Sequence, residues 1–225
     1  MKLGSNNTLG YRGRLVSLLF VGILILFMRT MVILQFGVAL HHFPFPAIIA
    51  VIVAWQIGKS YDKYIYLSMK DALTDLYNRR FIMDKFVSLS QKATKRGLKM
   101  AVLISDVNDF KKVNDQHGHD YGDIVLMSIA KSLKNVFNKP DIIARWGGDE
   151  FLVLATFSNA DELNKKIHNF QRNLSSITLE EQETTISVSI GYAIYPTDHT
   201  NLDELISMAD AKMYEIKLSH KEKNK

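Results

Sequence analysis

The stretch Ile142-Ile-Ala-Arg-Trp-Gly-Gly-Asp-Glu-Phe-Leu-Val-Leu-Ala-Thr-Phe157 decides how this chain is read. Two apolar runs of strand length, Ile142 to Trp146 and Phe151 to Phe157, are joined across Gly147-Gly148, a sequence signal for a β-hairpin. Glycines lack a Cβ, so a phosphate chain can approach the backbone there and meet its N–H groups. The acids that follow, Asp149 and Glu150, would repel phosphates unless a divalent cation lay between them. A further acid, Asp106, ends the apolar run Met100–Ser105. Carboxylates on neighbouring strand ends read as a magnesium site built from hard oxygen ligands. A charged hairpin tip, with Asp106 merely opening a turn, fits the same residues. Taken alone, they leave both readings open.

Working outward, apolar spacing predicts a helix over Asn78 to Arg96, with Phe81, Ile82, Phe86 and Leu89 on one side and Gly97 as its stop. Met100 to Val107 reads as a buried strand. Gly122 to Phe137 is the strongest helix, its stripe formed by Val125, Leu126, Ile129, Leu133 and Val136. A helix follows over Asp161 to Leu174. From Thr185 to Tyr195 the apolar residues Ile186, Val188 and Ile190 alternate with Ser187 and Ser189. Leu202 to Leu218 reads as a closing helix. Strands alternating with helices predict an α/β sandwich with one antiparallel hairpin in its sheet.

The first seventy residues are different. Two apolar blocks, Leu15 to Leu40 and about Phe45 to Gly58, flank the break at His41-His42-Phe43-Pro44, giving expected transmembrane helices at about 15–40 and 43–58. A bilayer core needs about 20 helical residues. The first block is long enough, although Arg29 interrupts it; the second is short. A hairpin of two transmembrane helices with both ends in the cytoplasm suits Arg12, Arg14, Lys59 and Lys63. One span plus an interfacial or re-entrant piece also fits. A cleaved signal peptide is disfavoured, because no small-residue cleavage site follows the first block. Residues 59–70 read as a juxtamembrane linker helix, with Tyr61, Tyr64, Ile65 and Ser68 at helical spacing. It is either a pairing surface for a second copy or a marker of the membrane interface.

Charge divides at the same place. Residues 1–70 hold seven Lys or Arg and one acid, Asp62, whereas residues 71–225 hold 21 basic and 22 acidic side chains. The positive balance belongs to the apolar flanks, so it indicates no DNA- or RNA-binding face. The sequence has no cysteine, which excludes disulfides, thiolate metal sites and cysteine nucleophiles and suits a reducing cytoplasm. Without cysteine or a third ligand, His117 and its neighbours make no zinc site.

Several stretches, in order and spacing, resemble the GGDEF family of diguanylate cyclases. Arg145-Trp-Gly-Gly-Asp-Glu-Phe151 resembles its signature. Asp71-Ala-Leu-Thr-Asp-Leu-Tyr-Asn-Arg-Arg80 resembles its opening segment, departing at Asp75 where glycine is usual. Asp106 to Asp115 resembles its metal strand and following loop, and His117 to Asp123 its base-binding turn. Ser187 to Gly191 and Ala209 to Lys217 resemble its last strand and helix. The resemblance spans residues 71–221 and leaves 222–225 as a charged tail. It implies a sandwich like the polymerase palm and the class III nucleotide cyclases, with a central, mostly antiparallel sheet and flanking helices.

It also implies roles. Asp106, the carbonyl of Val107, Asp149 and Glu150 would hold two Mg²⁺ per site, with Mn²⁺ as a substitute. Asp149 or Glu150 would assist deprotonation of the attacking 3′-hydroxyl. Asn114 and Asp123 would read the guanine edge. Phe110, Lys111, His119, Gly147, Gly148, Lys217 and Lys221 would contact substrate, His119 fitting a structural turn equally well. The implied reaction condenses two GTP into cyclic di-GMP in a homodimer formed through the catalytic domain and the linker helix, with the catalytic domain in the cytoplasm and the apolar segment in the cell membrane. Where the family carries an inhibitory product site, this chain has Asn138 in place of arginine while keeping Asp141, so that site is expected to be lost. A catalytically silent GTP-binding module and a cyclase making a monomeric nucleotide are the rival readings.

Overall fold

The computed structural model describes residues 12–37, 45–175 and 186–223. The chain divides into two compact units, Met1–Ser68 and Met69–Lys225.

In the first unit, α1 (Arg12–Phe36) and α2 (Phe45–Leu67) pack antiparallel. Small buried residues, Gly13 on one side and Ala54 and Gly58 on the other, let the backbones approach closely. The Ser17 hydroxyl donates to the Ala54 carbonyl at 2.8 Å, and the Gly13 N–H donates to Asp62 Oδ1 at 2.8 Å. Arg14 pairs with Asp62 at 3.2 Å. Among the described residues, α1 is the one helix long and apolar enough to cross a membrane. The expected break at residues 38–44 lies outside the described residues. The stretch anticipated as a short apolar block and a separate linker helix is one continuous helix, α2. It ends at Leu67, and Lys70 already forms a β-bridge with Tyr77.

The second unit is a five-stranded sheet in the order β1-β3-β4-β2-β5. β1 (Tyr77–Asn78) runs parallel to β3 (Ile142–Arg145), and every other pairing is antiparallel, including β4 (Glu150–Phe157), β2 (Lys99–Val107) and β5 (Val188–Tyr195). Period-two alternation divides the central strands between two cores. Leu103, Val107, Phe151 and Val153 pack with α5 (His119–Val136) and α6 (Ala160–Ser175). Met100, Val102, Ile104, Leu152 and Leu154 pack with α3 (Arg79–Lys95) and α7 (Leu202–Lys223).

Covering both faces explains a departure from expectation. Ser189, a polar position set against the apolar residues of an alternating strand, is fully buried and donates to Asn108 Oδ1 at 2.7 Å. Thr185, the expected start of that strand, lies outside the described residues. Two short elements were not read from the sequence: β1, of two residues, and α4 (Phe110–His117), a helix with no fully buried residue whose Phe110 and Val113 pack partly buried against the core. α4 occupies what was expected to be a loop and a turn.

Candidate active site

Register positions the acids. Asp106 is the direct partner of Glu150 across the β2–β4 pairing, and alternation turns both toward the face covered by α7. Lys217 of α7 reaches Asp106 Oδ1 at 2.5 Å, where the carboxylate is 9% exposed. Glu150 lines a cavity of about 280 Å³ with Ile104, Trp146, Ile206 and Asp210. Asp149 belongs to the turn before β4, and its carbonyl accepts from the Val107 N–H at 3.2 Å.

Burial, followed by the charge of Asp106, raises the Asp149 carboxyl above the ordinary range. Burial also raises Glu150, helped in turn by Asp106, Asp149 and Asp210. These groups repel one another where water is scarce, so a cation would stabilise them. Among the described residues, no three histidines or acids are arranged around a common metal position. The reason is the register: Asp106 and Glu150 share a face, and Asp149 stands in the turn. Two carboxylates beside a backbone carbonyl are oxygen donors of the kind magnesium uses. The residues fit such an ion as one whose coordination a ligand completes and not as a pre-formed cage.

The glycine turn is used unevenly. The N–H groups of Trp146 and Gly147 both donate to the Glu150 carbonyl, at 2.8 and 3.3 Å, so the Gly147 N–H is engaged within the hairpin itself. A Cβ on Gly147 would stand 2.6 Å from Glu150 Oε2, so only glycine lets that carboxylate fold back over the turn. Gly148 is exposed and open to approach.

A second group forms where α4 meets α5. The Asn114 amide occupies the space a Gly122 side chain would need, with the Phe110 ring beside it. Asn114 Oδ1 is buried with no hydrogen-bond partner, an arrangement that calls for a donor. Asp123 follows Gly122 and is exposed, as are His119 and Lys111. Only Asn108 and Asp109 separate β2 from α4, so the acids and this polar group are close along the chain. Lys221 lies in α7, but its side chain is outside the described residues.

The chain matches the family model described as diguanylate cyclase, GGDEF domain, over residues 68–223. The chain belongs to the GGDEF family. It is 34% identical over 167 residues to the bifunctional diguanylate cyclase/cyclic di-GMP phosphodiesterase MucR of Pseudomonas aeruginosa, covering 74% of this chain and 24% of that protein. With the diguanylate cyclase DosC of Escherichia coli it shares 31% identity over 147 residues, covering 64% of this chain and 32% of DosC. The chain thus spans about a quarter to a third of these curated relatives. A crystal structure of a sensory box/GGDEF family protein from Caulobacter crescentus superposes with a TM-score of 0.63 at 30% identity, covering 67% of this chain and 99% of that one.

Sequence reasoning missed some of the GGDEF site's residues. Arg145 was quoted in the signature without a role, yet it binds the Gly148 carbonyl and Asp71. Its one signal was a cation closing an apolar strand beside two acids. Asp210 left no signal, because only the packing of α7 brings it to Glu150.

Proposed function

We propose that this GGDEF protein condenses two GTP molecules into cyclic di-GMP with release of two pyrophosphates. The observation that carries the reading is the pairing of Asp106 with Glu150 beside Asp149, acids whose mutual repulsion suits a site for a nucleotide–magnesium complex. Asp106, Glu150 and the Val107 carbonyl would hold the ion. When bound, magnesium (or manganese) neutralises phosphate charge and lowers the pKa of the 3′-hydroxyl.

The protein's own groups do the rest. Asp149, its carboxyl raised above the ordinary range by burial and by Asp106, accepts the proton of the attacking 3′-hydroxyl. Asn114 and Asp123 read the guanine edge. An acid accepting from guanine N1 and N2 finds no matching donors on adenine. Lys217 and Lys111 supply cations to the triphosphate, Lys217 leaving Asp106 as phosphate arrives, and Lys221 adds a third. Phe110, His119 and the open Gly148 border the nucleotide. One chain carries one such site, so bond formation needs a second copy facing the first, and the product is made by a homodimer.

The product does not bind at Asn138 and Asp141. Asp141 is turned inward, accepting from the Thr156 N–H at 2.9 Å and from Lys166 at 2.9 Å. The N-terminal unit anchors the protein to the cell membrane as a two-helix hairpin. The antiparallel packing of α1 on α2 and the clustering of Arg14 and Asp62 at the end from which α2 leads into the catalytic unit support this. The catalytic unit then faces the cytoplasm.

The test is product analysis. Membranes bearing the full chain are incubated with GTP and Mg²⁺ beside the Asp149→Ala variant. Cyclic di-GMP from the wild type and none from the variant is expected. GTP binding without product would establish a silent module, and a monomeric cyclic nucleotide would establish a different cyclase.

A further inference from the structure

We infer that Arg145 positions Asp149 and ties that acid to the segment where the chain enters the catalytic unit. The inference rests on the reading above, in which Asp149 acts on the nucleotide. Arg145 closes β3 and stands opposite Asn78 of β1. Its Nε and one terminal nitrogen donate to the Gly148 carbonyl at 3.1 and 2.7 Å. The other terminal nitrogen donates to both carboxylate oxygens of Asp71 at 3.3 Å.

Asp71 is itself immobilised. Its Oδ1 accepts from the Thr74 N–H at 2.8 Å and the Thr74 hydroxyl at 2.6 Å. Its backbone N–H donates to the Leu76 carbonyl, and its carbonyl accepts from Asp75. Burial opposes the charged form, but the Thr74 donors and Arg145 outweigh it and hold the Asp71 carboxyl below the ordinary range. A charged, fully engaged anchor therefore stands at the start of the unit.

The consequence for Asp149 follows from the peptide plane. In a trans peptide the C=O of one residue and the N–H of the next point in opposite directions. Fixing the Gly148 carbonyl on the guanidinium directs the Asp149 N–H away from Arg145. On its other side, the Asp149 carbonyl is held by the Val107 N–H. Both peptide groups flanking the acid are thus fixed, one by β2 and one by Arg145. Lysine could not reproduce this, because a point ammonium lacks the planar fork that serves two partners at once.

Initial rates of the full chain in membranes, as a function of GTP concentration, test the role in Arg145→Lys, Arg145→Ala, Asp71→Asn and the Asp71→Asn/Arg145→Ala double variant. Misplacing a reacting group lowers turnover far more than binding, so Arg145→Lys should lose about 10- to 100-fold in kcat with KM within about threefold. Asp71→Asn should lose less, and the double variant should be no worse than Arg145→Ala, because Asp71 acts through Arg145. A wild-type kcat in Arg145→Lys, or a loss carried by KM alone, would overturn the inference while leaving the proposed reaction standing. Amide exchange over residues 146–150 reads the same device without turnover. Faster exchange in Arg145→Ala is expected, and unchanged exchange overturns the inference even if the proposed reaction itself fails.

Discussion

The two ends of the β3–β4 hairpin both carry buried acid, and the protein treats them in opposite ways. At the outer end, the Asp141 side chain is 1% exposed and fully matched, with the Thr156 N–H and hydroxyl on one oxygen and the Lys166 ammonium on the other. At the turn, Asp149 and Glu150 are half-buried near Asp106, and their carboxyls are pushed up by burial and like charge. Satisfied acid makes structure. Frustrated acid is kept where a ligand's charge can relieve it, at a cost in stability.

The sharpest way to break this comparison is to exchange the roles. Asp149→Asn should reduce cyclic di-GMP formation by about 10²- to 10⁴-fold, the range of a lost general base, while the protein stays folded. An active, merely destabilised variant would show that the turn acid is structural after all. Asp141→Ala should do the reverse. Removing one partner of a buried ion pair costs about 3 kcal/mol, read by denaturant unfolding, while turnover per folded molecule holds. Added cyclic di-GMP should produce no non-competitive inhibition in either the wild type or this variant, measured by initial rates.

The pH dependence sharpens the contrast. Asp149 and Glu150 bind protons more tightly folded than unfolded, so their contribution to stability falls as pH rises from the ordinary carboxylate range, about 4, through their raised values. Asp71 is opposite: its depressed carboxyl contributes fully above that range and loses the contribution in acid. Glu150→Gln should therefore flatten the decline of melting temperature as pH rises above the ordinary carboxylate range, about 4. A slope equal to the wild type's would mean that Glu150 is not strained by its neighbours.

The smallest effect concerns an exposed acid of neither kind. Asp75 has a φ of 51°, where the family uses glycine, and draws support from Lys70 at 3.8 Å and Lys134 at 3.7 Å. Asp75→Ala should cost about 1 kcal/mol through left-handed backbone strain, and Asp75→Gly should cost less, both measured by thermal unfolding. Equal losses would assign the effect to the lysine contacts.

Long elements with strong apolar stripes were legible: the helix stripe through Val125, Leu126, Ile129 and Leu133 is buried as its spacing required. β1 and α4 were not, because two residues carry no period and an eight-residue helix that turns only Phe110 and Val113 toward the core carries too short a stripe. The acids could be picked out in the sequence; their division of labour could not. Asp71 and Arg145 are 74 residues apart, and nothing in either neighbourhood announces the other.

By itself, the sequence determined the alternation of strands and helices, the glycine turn with its two acids and the separation of an apolar N-terminal unit, because composition and periodicity are properties of neighbours along the chain. Tertiary structure alone decided that Asp106 faces Glu150, that Asp141 is locked inward and that Arg145 bridges the turn to Asp71. The physical reason is that strand register and helix docking bring together charges whose energies depend on distance through space.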